Sequence, residues 1–185
     1  MANHSRIGEA CWSEIPKVNS EIFSLTYGAF VTQIIRDENN INDVNARLLA
    51  VGKGMGGRMV DEFLARSGVQ DCSNFKETAE NISKVGFKMF LGVVAEVVDW
   101  NEDNTAFTLK IGDMPITDFV EVPEKYKDIK YSNIICGVMA GALEMVQLHV
   151  ECSMLKDMLA GDEWNEIRVE LKGVLEQTMA DDYQE

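Results

Sequence analysis

The chain has 185 residues, of which 46% are hydrophobic and 26% charged, and its formal net charge at pH 7 is −14. A chain of this length fits one domain with a substantial core. So negative a protein repels phosphates and anionic lipid heads, which argues against nucleic-acid binding and against unaided adhesion to an acidic membrane.

The cysteines and histidines predict no metal site. Cys11, Cys72, Cys136 and Cys152 form no CxxC pair, and the chain contains two histidines, so zinc-ligand spacing is missing. The N-terminal stretch also lacks the apolar run that is typical of a secretory signal. We therefore expect free thiols and a cytosolic protein.

The first 19 residues are polar, contain Pro16 and show no sustained period, so we expect a flexible N-terminal arm over 1–19. Ser20 can then cap a first helix that runs to Asp37. Four residues at helical spacing form one apolar stripe of this helix: Phe23, Tyr27, Phe30 and Ile34. Further apolar residues widen the stripe. The pattern indicates either burial on two sides, by the core and by a partner chain, or one fully buried helix.

A second helix is predicted from about Ile41, and it can continue through a glycine-rich segment to Ser67. Gly52 and Gly56 lie on its apolar stripe. A glycine inside a helix costs about 1 kcal/mol relative to alanine, so we expect something to lie directly against the backbone there. That neighbour could be another helix or a slender ligand.

A lone cysteine, Cys72, follows in a short loop before a third helix, where Asn74 and Glu77 have capping-box spacing. A thiol just before a helix N-terminus can be stabilised as a thiolate and acylated, or it can simply be a small buried hydrophobic residue. The adjacent carboxylate of Asp71 disfavours the thiolate.

Alternating patterns replace the helical period after Leu91. Four segments carry the strand pattern: 93–100, 106–111, 148–154 and 167–171. A fourth helix covers about 132–147. We expect a single α+β domain over 20–172, with about four helices packed against a small antiparallel sheet of four or five strands. An acidic C-terminal tail, 173–185, follows it.

The sequence contains no signature of a hydrolase, kinase or dehydrogenase: GxSxG, GxxxxGK[ST] and a GxGxxG after a strand are all missing. We therefore predict no catalytic residues. One enzymatic alternative stays open, in which Cys72 is the nucleophile of a self-acylating protein, although no histidine lies beside it in the sequence.

Several strings taken together resemble one known family. They are SEIFSLTYGAFVTQ, the GxxxGxR pattern of Gly52, Gly56 and Arg58, DEFLARS, CSNFKETAENISKVGFKMFLG, DFVEVP, YSNIICGV and GALEMVQ. Their order and length resemble the Bet-three-type core subunit of the transport protein particle (TRAPP), from about Ser20 to Leu171.

The resemblance implies a scaffold protein that dimerises through its first two helices, as a homodimer or with a sister TRAPP subunit. The four stripe residues of the first helix would then be the dimer interface. It also implies a complex that tethers vesicles between endoplasmic reticulum and Golgi and activates a Rab-family GTPase by nucleotide exchange. Such a subunit is cytoplasmic and peripheral at the cis-Golgi and endoplasmic reticulum.

The resemblance further implies a lipid site. In the family, the cysteine matching Cys72 carries a palmitoyl chain inside a core tunnel, and the residue matching Gly86 lies on the tunnel wall. Small residues at Gly52 and Gly56 would let helices enclose the same channel. Family members commonly carry a basic residue where this chain has Asp71. The alternatives are a fatty-acyl-binding module and a Cys72-dependent self-acylating protein.

Overall fold

The structure is a computed structural model that describes residues 2–69 and 72–175. Its helices are α1 (Ala2–Glu14), α2 (Ser20–Asp37), α3 (Ile41–Ser67), α4 (Phe75–Asn81), α5 (Phe87–Leu91) and α6 (Asn133–Met145). A π-helical turn, Ile82–Gly86, joins α4 and α5 into one continuous helix. Its strands are β1 (Glu96–Val98), β2 (Ala106–Ile111), β3 (Leu148–Lys156) and β4 (Asn165–Val174).

Asparagine side chains begin three of the helices. Asn19, Asn40 and Asn74 each accept a hydrogen bond from a backbone N–H in the first turn of α2, α3 and α4. The cap of α2 is therefore Asn19, one residue before the predicted Ser20. At its other end, α3 stops at Gly68, whose φ of 63° lies in the left-handed region that favours glycine.

The four strands form one antiparallel sheet in the order β1-β2-β4-β3. Leu109 of β2 pairs with Ile167 of β4, and Val169 of β4 pairs with Cys152 of β3. These side chains are buried in the core, with α6 packed against β3. The arrangement confirms the predicted α+β class and the small antiparallel sheet.

The predicted arm over 1–19 is wrong for most of its length, because Ala2–Glu14 forms helix α1. This helix packs on the π turn and on α5: a methyl group on Gly8 would lie 3.2 Å from Cβ of Lys88, and the Trp12 ring covers Gly92. Cys11, a residue of α1, is buried. Helix α1 is therefore stabilised by tertiary packing of a short apolar face, which the periodicity of the sequence did not show.

The C-terminal boundary also differs slightly from the prediction. Strand β4 continues to Val174, which pairs with Leu148, so the first residues of the predicted tail belong to the sheet. The rest of the predicted tail, 176–185, lies outside the described residues.

Candidate functional site

The glycines of α3 lie against another helix. A methyl group placed on Gly52 would be 3.0 Å from Cα of Gly137 in α6, and one placed on Gly56 would be 2.8 Å from the backbone nitrogen of Ala142. Neither distance leaves room for a side chain. The expectation that Gly52 and Gly56 flank an acyl channel is therefore wrong, because the backbone of α6 occupies that space.

The contact is reciprocal, since α6 carries two glycines of its own. A methyl group on Gly137 would lie 2.8 Å from the backbone nitrogen of Lys53, and one on Gly141 would lie 2.8 Å from the carbonyl carbon of Lys53. Both would therefore clash with the backbone of α3. Lys53 also pairs with Glu144 across the two helices at 2.7 Å. The spacing of four between Gly137 and Gly141 was a visible signal that sequence reasoning missed.

Cys72 lies in the loop between α3 and α4, and its side chain is half-buried. The next residue, Ser73, is held against α4: its backbone N–H and its hydroxyl both donate to the Glu77 carboxylate, at 2.8 and 2.7 Å. The side-chain hydrogen bond from Ser73 and then its backbone bond lower the pKa of Glu77. Asn74 caps Glu77 as predicted, but the Glu77 carboxylate accepts from Ser73 and not from the Asn74 backbone, so only half of the capping box is present. Asp71, and with it the predicted influence on Cys72, lies outside the described residues.

The polar neighbour of the Cys72 thiol is Asn81, at the end of α4. Its Nδ2 donates to Sγ of Cys72 at 3.3 Å. The Asn81 side chain is only 4% exposed. Its Oδ1 is buried and has no hydrogen-bond partner among the described residues. Sequence reasoning missed Asn81, because nine residues of separation along a turn and a helix give no recognisable spacing.

Gly86 lies next to Asn81 at the end of the π turn, a feature often found at functional sites. A methyl group on Gly86 would lie 3.8 Å from the backbone oxygen of Asn81 and 4.0 Å from the ring of Phe63 in α3. Both are ordinary van der Waals distances, unlike those at Gly52 and Gly56. Cys72 thus contacts the side chain of Asn81, the backbone of Asn81 lies near Gly86, and Gly86 lies near Phe63 of α3.

An aromatic cluster anchors the start of α4 to the sheet. The ring centroid of Phe75 lies 5.3 Å from that of Phe107 in β2, and Trp100 lies 4.9 Å from Phe107. Because Phe75 follows Cys72 by three residues, this cluster holds the thiol loop close to the core.

The predicted interface stripe of α2 is buried along one edge and exposed along the other. Tyr27 and Ile34 are buried in the core, and the Tyr27 hydroxyl donates to the backbone oxygen of Tyr131 at 2.6 Å. Burial raises the pKa of Tyr27 above its ordinary value. Phe23 and Phe30, by contrast, are 41% and 38% exposed. The alternative of one fully buried helix is therefore wrong for this chain.

The exposed side of α2 is apolar over much of its length. We call Ile22, Phe23, Leu25 and Phe30 the open α2 face; all four are exposed. Beside it, a cleft of about 640 Å³ separates α2 from the segment 118–131. Phe119 of that segment is 76% exposed and has a positive φ of 65°. An apolar surface of this kind typically contacts a partner.

The other three thiols are buried away from this site. Burial raises the pKa of Cys136 to about 12 and that of Cys152 well above its ordinary value, and it is also the main cause that raises the pKa of Cys11. Over the described ranges, no cluster of residues could hold a metal ion. In that same part of the chain, no helix combines the length and apolarity needed to cross a bilayer.

The fold and the site define a small α+β domain with an open apolar helix face and a half-buried loop thiol. Residues 23–170 match the family described as "Transport protein particle (TRAPP) component". The chain belongs to this family, as the sequence strings predicted.

Individual relatives agree with this assignment. Over 93% of both chains, the protein is 51% identical to "Trafficking protein particle complex subunit 3" of Dictyostelium discoideum. It is 42% identical to "Transport protein particle subunit bet3" of Schizosaccharomyces pombe over 94% of both chains. The crystal structure of trafficking protein particle complex subunit 3 from Naegleria fowleri, covalently bound to palmitic acid, superposes with a TM-score of 0.84 and is 47% identical. That match covers 88% of this chain and all of the Naegleria chain.

Proposed function

We propose that this protein is a non-catalytic scaffold subunit of a TRAPP-type vesicle-tethering complex. The observation that carries the proposal is the 51% identity over nearly the whole length to a protein named as subunit 3 of such a complex. In this role the chain associates with sister small subunits, and the assembled complex acts as an exchange factor for a Rab-family GTPase. The complex works between endoplasmic reticulum and Golgi, with the subunit cytoplasmic and peripheral at those membranes.

The open α2 face supports an assembly role. Its large apolar side chains are exposed in the single chain, whereas the adjoining side of the same helix is fixed in the core by Tyr27 and Ile34. A helix that is anchored along one edge and apolar beside it can accept a second chain without refolding. We propose that this face binds a sister subunit, or a second copy when the chain is isolated.

The region from Cys72 to Gly86 supports an acyl site. The thiol is half-buried, Gly86 has space for added atoms, and a solved relative carries covalent palmitic acid. We propose that Cys72 carries a palmitoyl chain that passes Gly86 into the core. At about 0.8 kcal/mol per CH₂, a chain of about sixteen carbons contributes on the order of 10 kcal/mol of gross transfer energy. A chain held inside the protein stabilises the fold and cannot also anchor a membrane.

A second candidate function is a fatty-acyl-binding module, in which holding the acyl chain is the main role. The covalent palmitic acid of the Naegleria relative favours it. The two functions differ in what Cys72→Ser does: a scaffold keeps its partners without the acyl chain, whereas a broad loss of partners would favour lipid binding as the main role.

A pull-down tests the scaffold function. The tagged wild-type chain is expected to recover sister TRAPP subunits that mass spectrometry identifies, and Cys72→Ser is expected to recover the same set. A double variant, Phe23→Glu with Phe30→Glu, should lose at least one subunit. Val94→Glu, at another exposed apolar residue, is the matched control. Recovery of no TRAPP subunit by the wild type would contradict the proposal.

A further inference from the structure

Asn81 is buried beside the thiol without an evident structural reason. A buried carboxamide needs partners for both its donor and its acceptor end, and an unpartnered end costs stability. Here Nδ2 donates to Cys72 Sγ at 3.3 Å, while Oδ1 has no partner within the described residues. An apolar residue would fill the same space without this cost, so the amide is better explained by chemistry at the sulfur.

We propose that Asn81 promotes the self-acylation of Cys72, donating from Nδ2 to the thioester carbonyl oxygen while the acyl group transfers to Sγ. The inference rests on the proposed acylation of Cys72 and names the group that promotes it. It also names the substrate class, a long-chain acyl thioester such as an acyl-coenzyme A.

The geometry fits this role because Nδ2 of Asn81 already contacts Sγ of Cys72, the atom that attacks the thioester. In a thioester the carbonyl oxygen is two bonds from the sulfur, so a donor in contact with Sγ can reach that oxygen after a small rotation. Negative charge develops on this oxygen in the transition state of acyl transfer. A donor that is 4% exposed interacts with that charge without competition from bulk water.

The unpaired Oδ1 of Asn81 also has a role in the acylation reaction. A carboxamide presents either its oxygen or its nitrogen to a neighbour after a half-turn about its terminal torsion. Oδ1 can accept from the S–H of the resting thiol, and Nδ2 can donate to the thiolate and then to the acyl carbonyl. One end is unpaired in each state because both ends share a single neighbour.

The chemical step is an exchange of thioesters. The Cys72 thiol loses its proton to solvent, and Sγ forms a bond to the carbonyl carbon of the acyl-coenzyme A. The C–S bond of the acyl-coenzyme A then breaks, and the coenzyme A thiolate takes a proton from solvent. No oxidant, reductant or metal is needed.

Two rates on the same thiol test the proposal. Purified protein is treated with palmitoyl-coenzyme A, and acylation of Cys72 is followed by intact mass; in parallel, alkylation by iodoacetamide is followed by peptide mapping. Alkylation displaces iodide at a methylene carbon and develops no oxyanion, so it reports only access to the thiol and its reactivity. The informative quantity is the ratio of the two rates.

Asn81→Leu and Asn81→Val both remove the amide while keeping an apolar group in its place. We expect each to lower the ratio by about tenfold or more, since removing one oxyanion donor typically costs about 10²–10³ in rate. Ser83→Ala is the matched control. Ser83 is also fully buried on the next turn, but its hydroxyl donates to the backbone oxygen of Glu80. It should leave the ratio unchanged.

An unchanged ratio in both Asn81 variants overturns the proposal, and so does an equal fall of both rates, which would mean that Asn81 only positions or exposes the thiol. If the wild type is alkylated but never acylated, the protein does not acylate itself and the proposal about Asn81 fails; the intact mass of protein from eukaryotic cells then shows whether Cys72 carries an acyl chain at all. These outcomes distinguish an error about Asn81 from an error about Cys72.

Discussion

Gly52 of α3 and Gly137 of α6 meet backbone to backbone, so that a methyl group added to Gly137 would lie 2.9 Å from Cα of Gly52. One turn further on, Gly56 packs against the backbone of Val138 and Ala142 in α6, and Gly141 packs against the backbone of Lys53 in α3. This helix pair fixes the course of α3 relative to the core.

Alanine at either glycine of α3 is expected to destabilise the fold. Gly52→Ala and Gly56→Ala force the two helices apart, and overpacking of this kind typically costs about 1–3 kcal/mol. Urea unfolding followed by circular dichroism measures the free energy of unfolding. Gly54→Ala is the control on the same helix, because a methyl group there has nothing within 4 Å. It should stabilise the protein by up to about 1 kcal/mol. Equal effects at all three positions would contradict the close helix contact.

Leucine at Gly86 is expected to block the acyl chain and spare the fold. The space beside Gly86 accepts a methyl group at ordinary distances, and the larger leucine side chain extends into the region bordered by Phe63. The acylated fraction, measured by intact mass on protein from eukaryotic cells, should fall strongly for Gly86→Leu and stay near wild type for Gly86→Ala. A globally unfolded Gly86→Leu, or one acylated as fully as wild type, would show that the chain takes another path.

Charge on the open α2 face is expected to separate chains without unfolding them. Phe23→Glu and Phe30→Glu place carboxylates on exposed positions, so each single chain keeps its core. Light scattering should show a dimer for the isolated wild type and a monomer for the double variant, with unchanged thermal unfolding of the chain itself. A wild type that stays monomeric at all concentrations would remove the support for this interface.

Selective labelling of one thiol is expected in the folded protein. Burial raises the pKa of Cys136 to about 12 and also raises that of Cys152, and both side chains are inaccessible. A brief treatment of the unacylated protein with iodoacetamide at mildly alkaline pH should therefore modify Cys72 and spare Cys11, Cys136 and Cys152. Peptide mapping checks the sites, and denaturant should make all four thiols react. Labelling of Cys136 before Cys72 in native protein would contradict the described burial.

Sequence reasoning predicted the features that depend on local pattern. The helix over Ser20–Asp37, the long helix over Ile41–Ser67, the Asn74 cap and the main strands all follow from periodicity, capping residues and turns. The α+β class followed from their order. These features need only neighbours along the chain, which a sequence displays directly.

What sequence reasoning missed depends on contacts between distant residues. The pattern showed that Gly52 and Gly56 admit a close neighbour, but not that the neighbour is α6 rather than a ligand. Likewise, nothing in the spacing predicted that Asn81 would meet Cys72, or that Tyr27 would be buried while its neighbour Phe30 stays exposed. Helix α1 was missed because its stability comes from packing on the π turn and α5.

The mass of the protein isolated from eukaryotic cells tests the acyl site most directly. The account predicts a single adduct of one palmitoyl group on Cys72 that hydroxylamine removes and that Cys72→Ser never acquires. An unmodified mass throughout, or an adduct that resists hydroxylamine, would contradict it.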